Sequence, residues 1–241
     1  MNNKTMLIIA CGKTTKALAD WGFRNIPKEI DTVGMGMAYR HFESIGWFPS
    51  HYGQLDAKVV FHHQEQYRAL IERHPEVVGW FFSLSGNCVP GKIDLGKPDN
   101  ISLHHHGGSG ESLVDIMINP KREYRRILLI GFDGVMVWND DWVSLLNAKN
   151  PTDNRGTILN AAEFNKNYFC DDYYQNGDVL SCRRHTGNLS ETKQKRSDDR
   201  WNQRKKKAKK AGIAVYNLVP GQAIPFECPY NSIAEAFQES E

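Results

Sequence analysis

The chain has 241 residues, 40% of them hydrophobic and 24% charged, which is enough to bury a sizeable core. That mix excludes a wholly disordered polypeptide, and no apolar run approaches the roughly 20 residues that span a bilayer. The 30 basic and 28 acidic side chains leave a net +2, so overall charge gives no licence for a nucleic-acid binder.

Met6-Leu-Ile-Ile-Ala10 is too short for a signal-peptide core and reads as a first strand. Arg126-Ile-Leu-Leu-Ile-Gly131 is a second buried strand, and both runs end at small residues where a strand hands over to a loop. Further strands are expected at Thr32–Met35, Lys58–Phe61, Val77–Phe82 and Ala214–Leu218. Helical stretches lie between them at Thr14–Trp21, Ala38–Ile45, Gln64–Arg73, Gly110–Ile118 and Asp198–Ala211, with Gly212 placed to cap the last. Strands alternating with helices predict an α/β fold, a single Rossmann-like layered domain over residues 1–241 with a mainly parallel sheet. Residues 86–110, rich in Gly, Pro, Asn and His, form a long loop. An irregular lid insertion is expected at about 138–190 and a basic helix at about 198–211. The run Lys193–Lys210 holds ten Lys/Arg and two Asp, a local +8 that leaves the remainder at −6. Its default role is a solvated face, with Trp201 anchoring it; anionic lipid, polysaccharide or nucleic acid is the sharper alternative. The five cysteines, Cys11, Cys88, Cys170, Cys182 and Cys228, are odd in number and show no C-x-x-C spacing, which favours neither a disulfide framework nor a zinc site and points to free thiols in a reducing cytoplasm.

Four segments carry residue types suited to chemistry. Cys11-Gly-Lys-Thr14 follows the first strand, where backbone N–H groups at Gly12, Lys13 and Thr14 approach a phosphate and a plain βα turn is the bland alternative; it is not a Walker motif. His104-His-His-Gly-Gly-Ser-Gly-Glu111 leads into a helix, so Ser109 and Gly110 form another cradle of that kind; three consecutive histidines cannot all face one metal from a strand. Asp133 stands just past the carboxyl end of a central strand, either as a ligand-facing group or as a turn-former before Gly134. Tyr168-Phe-Cys-Asp171-Asp172-Tyr173-Tyr174, with His185 beyond it, joins rings that stack on sugars to carboxylates that hold hydroxyls. Paired acids can also hold a divalent metal, although adjacent residues rarely both reach one ion, and an aromatic-rich lid without chemistry is the bland alternative.

In this order the pieces resemble the bacterial sialyltransferase-type and Kdo-transferase enzymes that use CMP-activated sugars. Ile8-Ile-Ala-Cys-Gly-Lys-Thr-Thr15 is similar to that family's first nucleotide loop, and Gly34-Met-Gly-Met-Ala-Tyr39 to its second strand, with Gly36 where an asparagine often contacts the nucleotide. Trp47-Phe-Pro-Ser-His-Tyr52 through Leu55-Asp56, Ser109-Gly110, Leu129-Ile-Gly-Phe-Asp133 and Asn167-Tyr-Phe-Cys-Asp-Asp-Tyr173 resemble its further motifs. Val215-Tyr-Asn-Leu-Val-Pro-Gly221 and Pro229-Tyr230 resemble its closing strand and loop, which adds Asn217 and Pro220 to the nucleotide-binding candidates. The resemblance implies a metal-independent cytoplasmic glycosyltransferase with no resident cofactor. It would move a CMP-linked keto-sugar such as Kdo or a sialic acid onto a glycan or lipid-linked glycan. His185 is then the base or phosphate partner, and Asp133 or, second, Asp172 a carboxylate nucleophile. Asp133 and His185 are expected to serve transfer and not folding, and Lys193–Lys210 to give peripheral contact with the inner membrane face. Two rivals stand beside this reading. One is a nucleic-acid-associated protein or phage-type DNA-modifying glycosyltransferase using the basic run; the other is a pterin pyrophosphokinase-like enzyme.

Overall fold

The structure, a computed structural model, describes residues 4–83, 93–96, 101–103, 109–133, 146–147, 155–166, 168–181 and 191–238. In chain order these form β1 (Lys4–Ile9), α1 (Thr15–Trp21), a 3-10 turn (Phe23–Asn25), β2 (Asp31–Met35), α2 (Tyr39–Ser44), β3 (His51–Gln54), α3 (Ala57–His62), α4 (Gln64–Arg73), β4 (Gly79–Phe82) and β5 (Ile101–Leu103). There follow α5 (Ser109–Met117), β6 (Tyr124–Ile130), β7 (Leu146–Asn147), β8 (Arg155–Ile158), α6 (Ala161–Asn165), β9 (Val179–Ser181), α7 (Glu191–Lys210), β10 (Ala214–Asn217) and α8 (Ile233–Gln238).

A seven-stranded sheet runs in the order β10-β6-β1-β2-β3-β4-β5, and every pairing in it is parallel. At its centre Met6, Ile8 and Ile9 of β1 register with Ile127, Leu129 and Ile130 of β6. A parallel strand is covered on both faces, so it is apolar throughout rather than alternating. Here Leu7, Ile9, Leu128 and Ile130 enter one core with α1, α2, α4 and α8, while Met6, Ile8, Ile127 and Leu129 enter the other with α5 and α7. Each fully buried side chain of this kind stabilises by about 1.5–3 kcal/mol, and truncation of Ile8 to Ala would cost about 2–5 kcal/mol. The layered α/β architecture is therefore as predicted.

The local differences have clear causes. Lys58–Phe61, expected as a strand, belongs to α3, because the Asp56 side chain accepts the Lys58 N–H (3.0 Å) and caps the helix start. His51–Gln54, instead, is a strand whose His51 and Gln54 are buried. The basic helix begins at Glu191 and ends as expected at Gly212, whose φ is +69° and which donates to Lys209 O (3.1 Å). Trp201 anchors it, packed edge-on against Phe132 (centroids 5.6 Å apart). The lid insertion is not wholly irregular: β7, β8 and β9 form a small antiparallel sheet within it.

The chain runs from β1 to β2 on one side and returns as β6 on the other. The β1/β6 pair is thus the topological switch point, where a crevice opens at the carboxyl ends of the strands.

Candidate active site

At that point the loops after β1 and β6 are locked together. Ala10 N donates to Ile130 O (2.8 Å) and Gly12 N to Gly131 O (3.0 Å). Asp133 accepts the Thr14 N–H (2.8 Å) on one oxygen and the Thr14 hydroxyl on the other, while that hydroxyl accepts Gly131 N–H (3.1 Å). The approach demands glycine. A Cβ on Gly131, where φ is +84°, would stand 2.3 Å from Thr15 Oγ1, and one on Gly12 would stand 2.5 Å from Gly131 O. Gly12, Thr14 and Asp133 are therefore brought together, and the exposed Lys13 lies in the same loop. The N–H groups of Gly12 and Thr14 are already used by protein acceptors, and Asp133 has a folding duty that its sequence position does not reveal.

Gly36 lies beside this loop at the end of β2, with φ +73°. Its carbonyl accepts the hydroxyls of Tyr52 and Tyr67, both at 3.0 Å. The Tyr173 hydroxyl fills the space a Gly36 side chain would need, since a Cβ there would stand 2.1 Å from it. Tyr173 donates to Cys11 Sγ (2.9 Å), and Phe169 N donates to Cys11 O (3.3 Å), so the lid is seated on the first loop. Burial pushes the Cys11 thiol up to about 12, against the Tyr173 hydrogen bond, which keeps it protonated at neutral pH.

The lid aromatics face protein. Tyr168 and Tyr173 stack at 4.0 Å, and Phe169 and Tyr173 are buried, whereas a sugar platform needs open ring faces. Three residues that the sequence did not single out hold the lid. Arg40 makes a two-pronged ion pair with Asp178, whose side chains are only 12% and 9% exposed, and Arg40 also donates to Tyr173 O (3.3 Å). Buried Asn165 accepts from Tyr174 N and donates to Tyr174 O, both at 2.9 Å. Removing one partner of a buried ion pair costs about 3–5 kcal/mol, so Arg40–Asp178 is the strongest single tie of the lid.

The remaining candidates disperse. Asp172 borders another opening, a cleft of about 830 Å³ lined by Lys16, Asp20, Arg24, His41 and Asp171 among others; Asp133 is not part of its wall. Gly110 packs on the core beside the end of β6, since a Cβ on it would stand 2.9 Å from Phe132 Cε1 and 3.8 Å from Met35 Sδ. Ser109 opens α5, but its side chain, like His185, Asn167 and the His104–His106 run, lies outside the described residues. Asn217 turns inward, where its amide donates to Phe226 O (2.6 Å), a role in bracing β10 rather than in facing a ligand. Pro220 is exposed in the turn after β10. Close by, Gln222 supports the β6 end, accepting Phe132 N–H and donating to Leu129 O, both at 2.9 Å.

Part of the basic helix is committed to the body. Arg204 pairs with Asp115 (2.6 Å) and Glu111 (3.7 Å) of α5, Lys207 with Asp115 (3.2 Å), and Lys205 donates to Pro225 O (3.0 Å). Lys206, Lys209 and Lys210 are exposed and have no ion-pair partner among the described residues. No helix among the described residues is long and apolar enough to cross a membrane. Comparison with known proteins finds no matching family model, no matching curated protein and no matching solved structure, so the fold and the geometry of the switch point are what bear on function.

Proposed function

We propose that the chain is a glycosyltransferase that moves a sugar from a nucleotide donor, a CMP-linked keto-sugar, to a glycan or lipid-linked glycan acceptor. The observation that carries this reading is the meeting of three elements at the β1/β6 switch point: the Gly12–Thr14 loop, Asp133, and a lid seated on Cys11 and Gly36. Open parallel sheets bind nucleotides at that position, and a lid that excludes water limits hydrolysis of an activated sugar. Donor phosphate reaches the Thr14 N–H in exchange for the Asp133 carboxylate, which is then released toward the sugar. Lys13 neutralises phosphate charge, and Gly110 with Ser109 borders the nucleotide on the α5 side. His185 takes the acceptor proton, with Asp133 the first and Asp172 the second candidate for a carboxylate at the anomeric centre. The protein itself needs no metal for these steps. A cytoplasmic enzyme of this kind meets its acceptor at the inner membrane face, where Lys206, Lys209 and Lys210 supply attraction to anionic lipid.

A ligand panel of CMP, UDP, GDP, ATP and duplex DNA, read by thermal shift, tests the reading. CMP at 100 times its Kd adds about 2.7 kcal/mol of stability. Stabilisation by ATP with none by CMP would favour the pyrophosphokinase-like rival, and stabilisation by DNA alone would favour the nucleic-acid one.

A further inference from the structure

The cleft beside the lid, whose wall does not include Asp133, holds a side-chain cluster of which only Asp172, the second-choice carboxylate, enters the proposed transfer. His41 projects from α2, and Cys170 and Asp172 come from the lid. One donor atom from each, the imidazole nitrogen, the thiol sulfur and a carboxylate oxygen, all lie within 4.8 Å of one another. His41 Nδ1 and Asp172 Oδ1 are 3.4 Å apart. Asp172 Oδ1 is shut off from solvent and has no hydrogen-bond partner among the described residues, while its other oxygen accepts from Ser44 Oγ (3.4 Å). Phe169 packs edge-on against the His41 ring (centroids 5.3 Å), fixing its position.

We propose that His41, Cys170 and Asp172 bind a divalent ion of the zinc class and thereby tie the lid to α2. Sulfur, nitrogen and oxygen donors in one set suit zinc and disfavour magnesium or calcium, which select oxygen. With bonds of about 2.0–2.3 Å, tetrahedral donors stand roughly 3.3–3.8 Å apart, so the trio reaches bonding geometry by closing about 1 Å at its widest. The orphaned Asp172 oxygen gains a partner in the process. Because the three residues line the cleft, the fourth position is open to water. Each ion bound releases one proton from Cys170 Sγ to solvent. The ion is a latch: it occupies Asp172 and leaves Asp133 as the carboxylate for transfer, and the inference stands whether or not the chain transfers sugar.

The full chain, purified with chelator and then dialysed free of it, is titrated with Zn²⁺ against a chromophoric chelator and separately with Co²⁺. One tight equivalent of Zn²⁺ is expected, together with a thiolate-to-Co²⁺ charge-transfer band. His41→Gln, Cys170→Ala and Asp172→Asn should each weaken Zn²⁺ binding by at least about 10²-fold, beyond the loss typical of an outer-shell partner. Asp172 is the decisive position, because its side chain is 40% exposed and Asp172→Asn leaves the core packed even if Cys170→Ala does not fold. Absence of a tight equivalent, absence of the thiolate band, or unchanged affinity in Asp172→Asn overturns the proposal. So does tight binding abolished only by replacing His104, His105 and His106 with Asn, which would move the ion to that run.

Discussion

Replacing Asp133 by Asn tests whether this carboxylate holds the switch point together or serves chemistry alone. In the native arrangement it accepts two hydrogen bonds from Thr14, one from the backbone and one from the hydroxyl. Asn can present its carbonyl oxygen to the Thr14 N–H, but its amide group then meets the hydroxyl as a donor. The hydroxyl already accepts Gly131 N–H, so its own proton loses an acceptor. A hydrogen bond to a charged group contributes about 1.5–3 kcal/mol when buried, and the partial exposure of Asp133 brings the expected loss to about 1–2 kcal/mol. For a chain of this size that corresponds to a fall of about 2–8 °C in Tm. Thr14→Val keeps the shape and removes the hydroxyl, so a double-mutant cycle over Asp133→Asn and Thr14→Val, read by calorimetry, should show a coupling of about 1 kcal/mol. A melting temperature within about 1 °C of the native protein and a coupling near zero would refute the clamp. Turnover with a CMP-sugar is measured on the same variants at a temperature where all are folded. A reacting Asp133 loses at least about 10²-fold there, whereas a pure clamp does not.

Three further outcomes follow from the same geometry. Gly36→Ala should destabilise by about 2–4 kcal/mol, from a strained backbone and overlap with Tyr173, and Tyr173→Phe in that background should recover part of the loss; native-like melting of Gly36→Ala would contradict the seated lid. Burial holds the buried His51 and His63 below their ordinary pKa, so the unfolded chain binds more protons below about pH 6.5 and stability is lost as pH falls through that window. Tm should therefore drop from about pH 7.5 to 5.5, and His63→Gln should flatten the slope; an unchanged slope would remove His63 from the account. Replacing Lys206, Lys209 and Lys210 with Gln should lower partitioning onto anionic vesicles by about 10²-fold at low salt with little change in Tm, since each contributes about 1 kcal/mol at such a surface; equal partitioning would show that the committed residues of α7, or none, do the binding.

What the sequence reveals and what it conceals divide along physical lines. β1 and β6 are legible because strands covered on both faces must be apolar at every position, and Gly212 is legible because a helix stop at positive φ selects glycine. Lys58–Phe61 misleads because Val59 and Val60 favour strands as residue types, while the deciding signal was Asp56, whose side chain captures the Lys58 N–H and starts a helix. β3 stays hidden for the opposite reason: His51 and Gln54 are polar, yet both are buried in the sheet, and only their hydrogen bonds make this possible. Arg40 and Asp178 are separated by 138 positions, so no spacing rule could pair them.

The lid shows how one residue pattern satisfies two physical demands. Tyr168, Phe169 and Tyr173 beside Asp171 and Asp172 have the composition of a sugar platform, and they have equally the composition of a segment that must bury rings against a body. The outcome is decided by partners that sit outside the pattern. Arg40 holds Asp178 and the Tyr173 carbonyl from α2, Asn165 binds both the backbone N–H and the carbonyl of Tyr174, and Gly36 leaves the volume into which the Tyr173 hydroxyl fits. Uncovering the Gly12–Thr14 loop requires Tyr173 and Phe169 to leave Cys11, which exposes buried rings and loosens the Arg40–Asp178 pair together. Those contacts lie on one short segment, so loss of one is expected to weaken the others. On the proposed reading, a donor that binds beneath the lid must favour the open form by more than this opening costs, and its phosphate would replace Asp133 at the Thr14 N–H, which already donates to an anionic partner.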